Sequence, residues 1–278
     1  MEEQTVDNEV GATLVLKLGY RGGEFSGFAE QEGQRTVAGE LRRALEVVLR
    51  RDVELTCAGR TDAGVHAVAQ YVSVPVTGDE LDLSGRRLLA SLTALVPDDL
   101  SVREVLHGGP EFSARFDAQE RSYRYRISCG RMRPVLLYGH TWWLRAVADL
   151  DVDAMDEAAQ LLVGEHDFES FCKVSSARKL HEDGRSTSRN LSTVHVSRDV
   201  ELGEPVVALD VVGNAFLHNM VRIITGTLVE VGRGFHEPSW VGEVLAACER
   251  TAAGQTAPPE GLTFMNVRYP EGLLEPWA

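Results

Sequence analysis

Cys57-Ala58-Gly59-Arg60-Thr61-Asp62-Ala63-Gly64-Val65-His66 lies between two apolar runs. Upstream, Val53-Glu54-Leu55-Thr56-Cys57 reads as a strand. Downstream, Val68, Val72, Val74 and Val76 alternate with other residues and read as a second strand. The two glycines permit backbone turns and close approaches that a side chain would obstruct. A loop between two strands therefore presents Asp62 beside Arg60. On local grounds it is either a tight turn in which Asp62 bonds its own backbone or a carboxylate displayed for chemistry.

On the N-terminal side, Ala12, Leu14, Leu16, Leu18 and Tyr20 share one face of a strand, and residues 1–11 read as a disordered acidic tail. Arg21 to Phe28 is a glycine-rich loop. Thr36 caps a helix running to about Arg51, with Val37, Leu41, Leu45, Val48 and Leu49 on one face. On the C-terminal side, Leu81 to Leu95 reads as an amphipathic helix stopped before Pro97, and Ser101 to Leu106 as a strand. His107-Gly108-Gly109-Pro110 divides the chain into an N-terminal half, 12–110, and a C-terminal half, 111–278.

In the second half, Tyr123, Tyr125 and Ile127 alternate with Arg124 and Arg126, the pattern of a strand with aromatics on one face and arginines on the other. That strand either buries its tyrosines under solvated arginines or offers a stacking ring beside phosphate-binding cations. Helices are expected from Asp151 to Leu162, from Phe216 to Gly232 and from Ser239 to Arg250. Strands are expected at about 190–197 and 206–212 and at the end, up to Tyr269. The Ser-rich basic stretch 173–189 reads as a loop ordered by a ligand. His166-Asp167 reads as a structural pair. His218 and Arg222, spaced i and i+4, share a polar helix face. Strand–helix units on both sides of residue 110 make the fold class α+β.

With 278 residues the chain can bury a sizeable core, and 44% hydrophobic with 25% charged residues is ordinary for a globular enzyme. No apolar run approaches the roughly 18 residues of a membrane span. The acidic N-terminus resembles neither a signal nor a transit peptide, so a cytoplasmic protein is expected. Cys57, Cys129, Cys172 and Cys248 form no C-x-x-C pair, which argues against a zinc site and a disulfide framework. A glycine-lysine nucleotide loop and a dinucleotide fingerprint are also missing, so no metal or cofactor is expected.

The net charge of −14 is a poor match to a nucleic-acid binder, but it is unevenly spread. Residues 115–133 hold six arginines against Asp117 and Glu120. Residues 173–198 hold Lys173, Arg178, Lys179, Arg185, Arg189 and Arg198 against Glu182 and Asp183. Each segment is locally +4. Either they are solvated faces, or the protein repels RNA everywhere except along them.

The stretch 57–66 resembles, nearly residue for residue, the catalytic loop of the tRNA pseudouridine synthase A (TruA) family. Further resemblances run through Phe112-Ser113-Ala114-Arg115-Phe116-Asp117-Ala118, Arg121-Ser122-Tyr123-Arg124-Tyr125, Asn219-Met220-Val221-Arg222 and Thr256 to Leu262, and cover about residues 12–270. There are departures. Arg21 stands where the family has Asp, Phe28-Ala29 where it has Trp-Gln, and Ser91-Leu92-Thr93 lacks an asparagine the family usually has before Leu-Pro. No binding role is expected at these places.

The resemblance implies two similar halves joined in one antiparallel sheet, with helices outside and a catalytic cleft between them. It implies that the chain converts uridine to pseudouridine at positions 38, 39 and 40 of the tRNA anticodon arm, and that it acts as a homodimer. Asp62 would be the nucleophile, Arg60 and Arg222 the basic residues that keep it ionised, and Tyr123 the ring packed on the target base. Arg115, Arg178, Lys179 and Arg189 would grip the RNA. The reaction is an isomerisation that needs no redox cofactor or nucleotide energy, and a carboxylate nucleophile suits it. A glycoside hydrolase would usually need two carboxylates flanking the bond. A non-catalytic RNA-binding protein leaves the Arg60-Thr61-Asp62 constellation without a use.

Overall fold

The computed structural model describes residues 10–278. In chain order the regular elements are β1 (Val10–Tyr20), α1 (Val37–Leu49), β2 (Thr56–Cys57), β3 (His66–Thr77), α2 (Gly85–Leu95) and β4 (Leu100–Gly108). There follow β5 (Glu120–Cys129), β6 (Trp142–Leu144), α3 (Val152–Gln160), β7 (Gly164–Asp167), α4 (Val174–Glu182), β8 (Ser188–Glu201) and β9 (Glu204–Gly213). The last are α5 (Met220–Gly232), α6 (Trp240–Ala247), β10 (Leu262–Arg268) and β11 (Glu275–Pro276). The architecture is mixed α and β, with almost entirely antiparallel strand pairing; β6 on β5 is parallel.

Two compact units divide the chain. Of the described residues, the first comprises those up to 61, 67–119 and 267–278, the second 62–66 and 120–266. The boundary expected at residue 110 thus falls inside the first unit. Sequence punctuation at Gly108-Gly109-Pro110 marks the end of β4, whereas Tyr269 Oη donating to Ala114 O keeps the following segment on the first unit.

In the first unit the strand order is β11-β4-β1-β3, with β2 on β3. Leu14, Leu16 and Leu18 of β1 and Val72 and Val74 of β3 are fully buried with Leu41 and Leu45 of α1 and Leu92 of α2. Thr36 caps α1 as its sequence suggests, its Oγ1 accepting from Gly39 N at 3.2 Å. Three expectations need correction here. The strand before the central loop shrinks to β2, because Arg42 of α1 donates to the Val53 carbonyl and takes it from any strand neighbour. The helix expected from Leu81 begins at Gly85; residues 78–82 form a separate tight turn, in which Glu80 accepts from Thr77 N and pairs with Arg51. The acidic tail lies outside the described residues up to Asn8 and Glu9, while Val10 and Gly11 belong to β1.

In the second unit the order is β10-β5-β9-β8-β7, with β6 beside β5. Tyr125 and Ile127 of β5 are fully buried, as the alternation predicts, together with Leu209 and Val211 of β9 and Ile223, Ile224 and Leu228 of α5. Almost every residue of α5 is buried, so this helix is the centre of the unit. The loop expected over 173–189 is instead α4 for residues 174–182. Few of its positions are apolar, and the one fully enclosed is Ala177, so periodicity is weak. Its place is fixed by tertiary bonds, with Lys173 N donating to His218 O at 3.1 Å. His166 does not pair with Asp167; the ring bonds Val163 O at 3.0 Å.

Candidate active site

The loop 57–66 is held along its length by ordinary main-chain and side-chain bonds. Gln70 Nε2 donates to Gly59 O at 2.6 Å, Phe28 N donates to Thr61 O at 3.0 Å, and Tyr20 Oη meets Thr61 Oγ1 at 2.8 Å. Phe28, one of the departures from the family pattern, is buried and supports the loop through its backbone. Beyond Asp62 the chain turns, Val65 N donating to Asp62 O at 3.2 Å. Gly64 adopts φ +82°, and a Cβ there would lie 2.8 Å from Pro259 Cγ. Both the left-handed backbone and the close approach demand glycine.

Asp62 is half-buried; one carboxylate oxygen faces the Arg222 guanidinium and the other the His218 imidazole. Arg222 Nη1 donates to Asp62 Oδ2 at 3.3 Å and to Asn219 Oδ1 at 3.0 Å, while its Nε donates to Ala257 O at 2.8 Å. The guanidinium is thus aimed by three acceptors, one of them on the residue that caps its own helix. Asn219 has φ 64°, a left-handed conformation that asparagine tolerates better than most side chains. On the other oxygen, His218 Nε2 lies 3.3 Å from Asp62 Oδ1, and His218 Nδ1 shares a 2.9 Å hydrogen bond with Ser176 Oγ of α4.

His218 is the functional neighbour that sequence reasoning left without a role. Its i, i+4 relation to Arg222 was a visible signal. Its partner Ser176 was not, because Ser176 lies in the segment read as a loop.

The other candidates are distributed as follows. Arg60 is exposed two residues before Asp62; among the described residues the ion pairs to Asp62 come from Arg222 and His218. Tyr123 is 8% exposed, its ring flanked edge-on by Phe216 at 4.8 Å and Phe264 at 4.9 Å. Arg115 is exposed with its guanidinium 5.5 Å from the ring of Phe116, itself 81% exposed. Arg178 and Lys179 stand exposed on α4. Arg189 is half-buried; its Nη1 donates to Ser186 O and Ser188 O, whereas Nε is buried without an acceptor. Burial, then repulsion from Arg185, pulls its pKa below the usual arginine value.

Chemically, the arrangement offers one carboxylate with a guanidinium nitrogen at one oxygen and an imidazole nitrogen at the other, each at 3.3 Å. Cys57 cannot serve as a substitute nucleophile at neutral pH, because burial pushes its thiol up to about 11. Among the described residues no group of three or more His, Cys, Asp or Glu side chains is arranged to hold a metal ion.

A family model described as tRNA pseudouridine synthase matches residues 158–270, which include Arg222, His218 and Asn219. The chain is 42% identical over 258 residues to tRNA pseudouridine synthase A of Methylococcus capsulatus, covering 93% of this chain and 90% of the relative. It is 42% identical over 256 residues to the protein of that name from Brevibacillus brevis, covering 92% and 99%. It is 42% identical over 265 residues to that of Streptomyces avermitilis, covering 93% and 88%.

Proposed function

The chain belongs to the tRNA pseudouridine synthase A family, and from that premise we propose that it isomerises uridines 38, 39 and 40 of the tRNA anticodon arm with Asp62 as nucleophile. The observation that carries the reading is the grip on Asp62: Arg222 at one oxygen and His218 at the other, each at 3.3 Å.

The reaction breaks the C1′–N1 bond of uridine, turns the base and forms a C1′–C5 bond, with C5 losing a proton and N1 gaining one. Whether the carboxylate engages C1′, adds at C6 or assists removal of the C2′ proton, it must be anionic and fixed in direction. A nearby cation favours the charged form of an acid, and Arg222, tethered by Ala257 and Asn219, supplies one in a set orientation. Arg60 adds positive charge to the same loop. The target uridine has to leave its stack, at a cost of a few kcal/mol; stacking on Tyr123, worth about 1–3 kcal/mol, offsets part of it. Arg115, Arg178, Lys179 and Arg189 are assigned to the RNA backbone.

The same reading holds that residues 12–110 and 111–278 form similar halves of a pseudouridine synthase-like fold, and that the protein works as a homodimer in the cytoplasm. Family membership supports these points. No helix among the described residues is long and apolar enough to cross a membrane.

The decisive experiment uses Asp62→Asn, which keeps shape and removes the anion. Unmodified tRNA is treated with wild type or variant, and pseudouridine is mapped by carbodiimide chemistry alongside tRNA affinity and melting temperature. The variant is expected to fold, bind and give no detectable pseudouridine. Retained turnover in the folded variant would refute Asp62 as nucleophile. Tyr123→Phe and Tyr123→Leu extend the test. Near-wild-type turnover in both would reduce Tyr123 to a core residue.

A further inference from the structure

Beside α4 lies a cavity of about 430 Å³ whose polar wall is Lys173, Arg178, Arg250, Ser175, Asn219 and Thr256. Three of these are cations and none is an acid. Among the described residues no carboxylate lies within ion-pair distance of Lys173, Arg178 or Arg250. Arg250 is the informative member. It is half-buried, its Nη1 donating to Ala253 O at 3.2 Å and its Nη2 to Thr256 Oγ1 at 3.1 Å, so it is hydrogen-bonded but not neutralised. Burial alone draws its pKa below the arginine norm. A cation taken partly out of water without a counter-ion is costly, and that cost is removed if the counter-ion arrives with a ligand.

The cavity's location narrows the ligand. Asn219, on its wall, accepts from Arg222 Nη1, the same nitrogen that reaches Asp62. One side-chain link therefore separates the cavity from the nucleophile. The opening turn of α4 lies on the same wall and adds its positive end to the three cations. A small monoanion with a flexible, hydroxylated attachment suits Ser175, Asn219 and Thr256 around the charged groups.

We propose that this cavity is a phosphodiester subsite, in which Lys173, Arg178 and Arg250 hold the RNA phosphate adjacent to the isomerised nucleotide. The proposal rests on the RNA substrate argued above and adds to it a single defined phosphate. Among the three cations, Arg178 supplies an exposed contact and Arg250 the recessed one. Their joint effect is to set the distance between the backbone and Asp62.

The test couples protein and RNA changes. An anticodon stem–loop is prepared with one neutral methylphosphonate linkage at a time around the target uridine. Binding is measured to Asp62→Asn and to Asp62→Asn carrying Arg178→Gln, so that the reading does not depend on turnover. Arg178→Gln is expected to weaken binding about tenfold and to lower the log–log salt slope by about 0.7 to 0.9. At one linkage next to the target, the neutral RNA is expected to cost the parent protein the same factor and Arg178→Gln nothing further. Arg250→Lys, which keeps the charge, should retain that coupling even if stability drops. Additive losses at every linkage, or an unchanged salt slope, would overturn the subsite. If wild-type protein left uridine unaltered in intact tRNA, the proposed function would fall, while the binding cycle would still decide whether this cavity holds a phosphate.

Discussion

Residues 115–133 and 173–198 carry the same number of basic groups and the same local charge, yet Arg124 and Arg126 of the first are used differently from Arg178 and Lys179 of the second. In the first segment the arginines of β5 are spent internally. Arg124 lies opposite Asp210 in the β5–β9 register and bonds both of its oxygens at 2.8 and 2.7 Å, with Asp199 and Glu201 each 3.1 Å away. Arg126 pairs with Glu201 at 2.6 Å. In the second segment Arg198 is paired with Asp149, but Arg178 and Lys179 on α4 face solvent without acidic partners among the described residues. There, Arg185 is close enough to Arg189 to depress its pKa. Local charge density is thus not a measure of charge available to a ligand. What decides it is whether the neighbouring strand, far away in sequence, brings carboxylates.

The contrast extends to histidine. His66, at the end of the central loop, is 5% exposed, has its ring centroid 4.2 Å from that of His140 at a tilt of 36° and bonds Gly139 O at 2.9 Å. Burial, reinforced by His140, pushes its pKa from 6.5 down to about 4. His181 on α4 is exposed.

Three measurements can break or sharpen this comparison. The largest effect is expected from acid. Between pH 6.5 and 4 the unfolded chain takes up a proton at residue 66 that the folded protein refuses, so stability is complete above 6.5 and is lost as pH falls, by about 3 kcal/mol in all. Urea unfolding across that range should give a markedly flatter profile for His66→Asn. An identical slope in the variant would mean the ring is not kept neutral by the fold.

Next in size is Arg124→Met. Removing the shared cation leaves Asp210, Asp199 and Glu201 facing one another, and a loss of about 2 kcal/mol is expected. The salt dependence of tRNA binding should stay as it was. A lowered salt slope with unchanged melting would show that this arginine serves RNA and would dissolve the distinction between the two segments. The smallest stability effect, near zero, belongs to Arg178→Gln, Lys179→Gln and Arg185→Gln combined. That protein should melt like wild type but lose up to about 0.9 in log–log salt slope for each phosphate contact removed. An unchanged slope would return α4 to the role of a solvated face.

How much of this could be read from residues alone depended on whether the signal was local. The Thr36 cap and the alternation through Tyr123, Tyr125 and Ile127 are short-range patterns that the structure has as read, and the apolar spacing from Met220 to Val231 is α5, which starts at Met220 and not at Phe216 because Asn219 before it is left-handed. α4 was missed because a Ser-rich helix with little apolar surface is placed by bonds such as Lys173 N to His218 O, which no window of sequence contains. Asp62 and Arg222 were matched separately to a family pattern; that they meet at 3.3 Å is a property of the folded chain. His218 on the second oxygen, and the unneutralised Arg250, needed coordinates for the same reason.

The first unit is completed by residues far along the chain. β11 pairs with β4, Trp277 is 9% exposed with its Nε1 donating to Leu83 O at 2.6 Å, and Gly85 N donates to Ala278 O at 2.7 Å. During synthesis the ribosome delivers residues 1–119 well before 267–278. At about 5–20 residues per second, the N-terminal portion waits about seven to thirty seconds with its β4 edge and the Trp277 site uncovered. Folding from the N-terminus forward can therefore complete the second unit's core first, and the nascent first unit is the part of this protein that stands to need a chaperone.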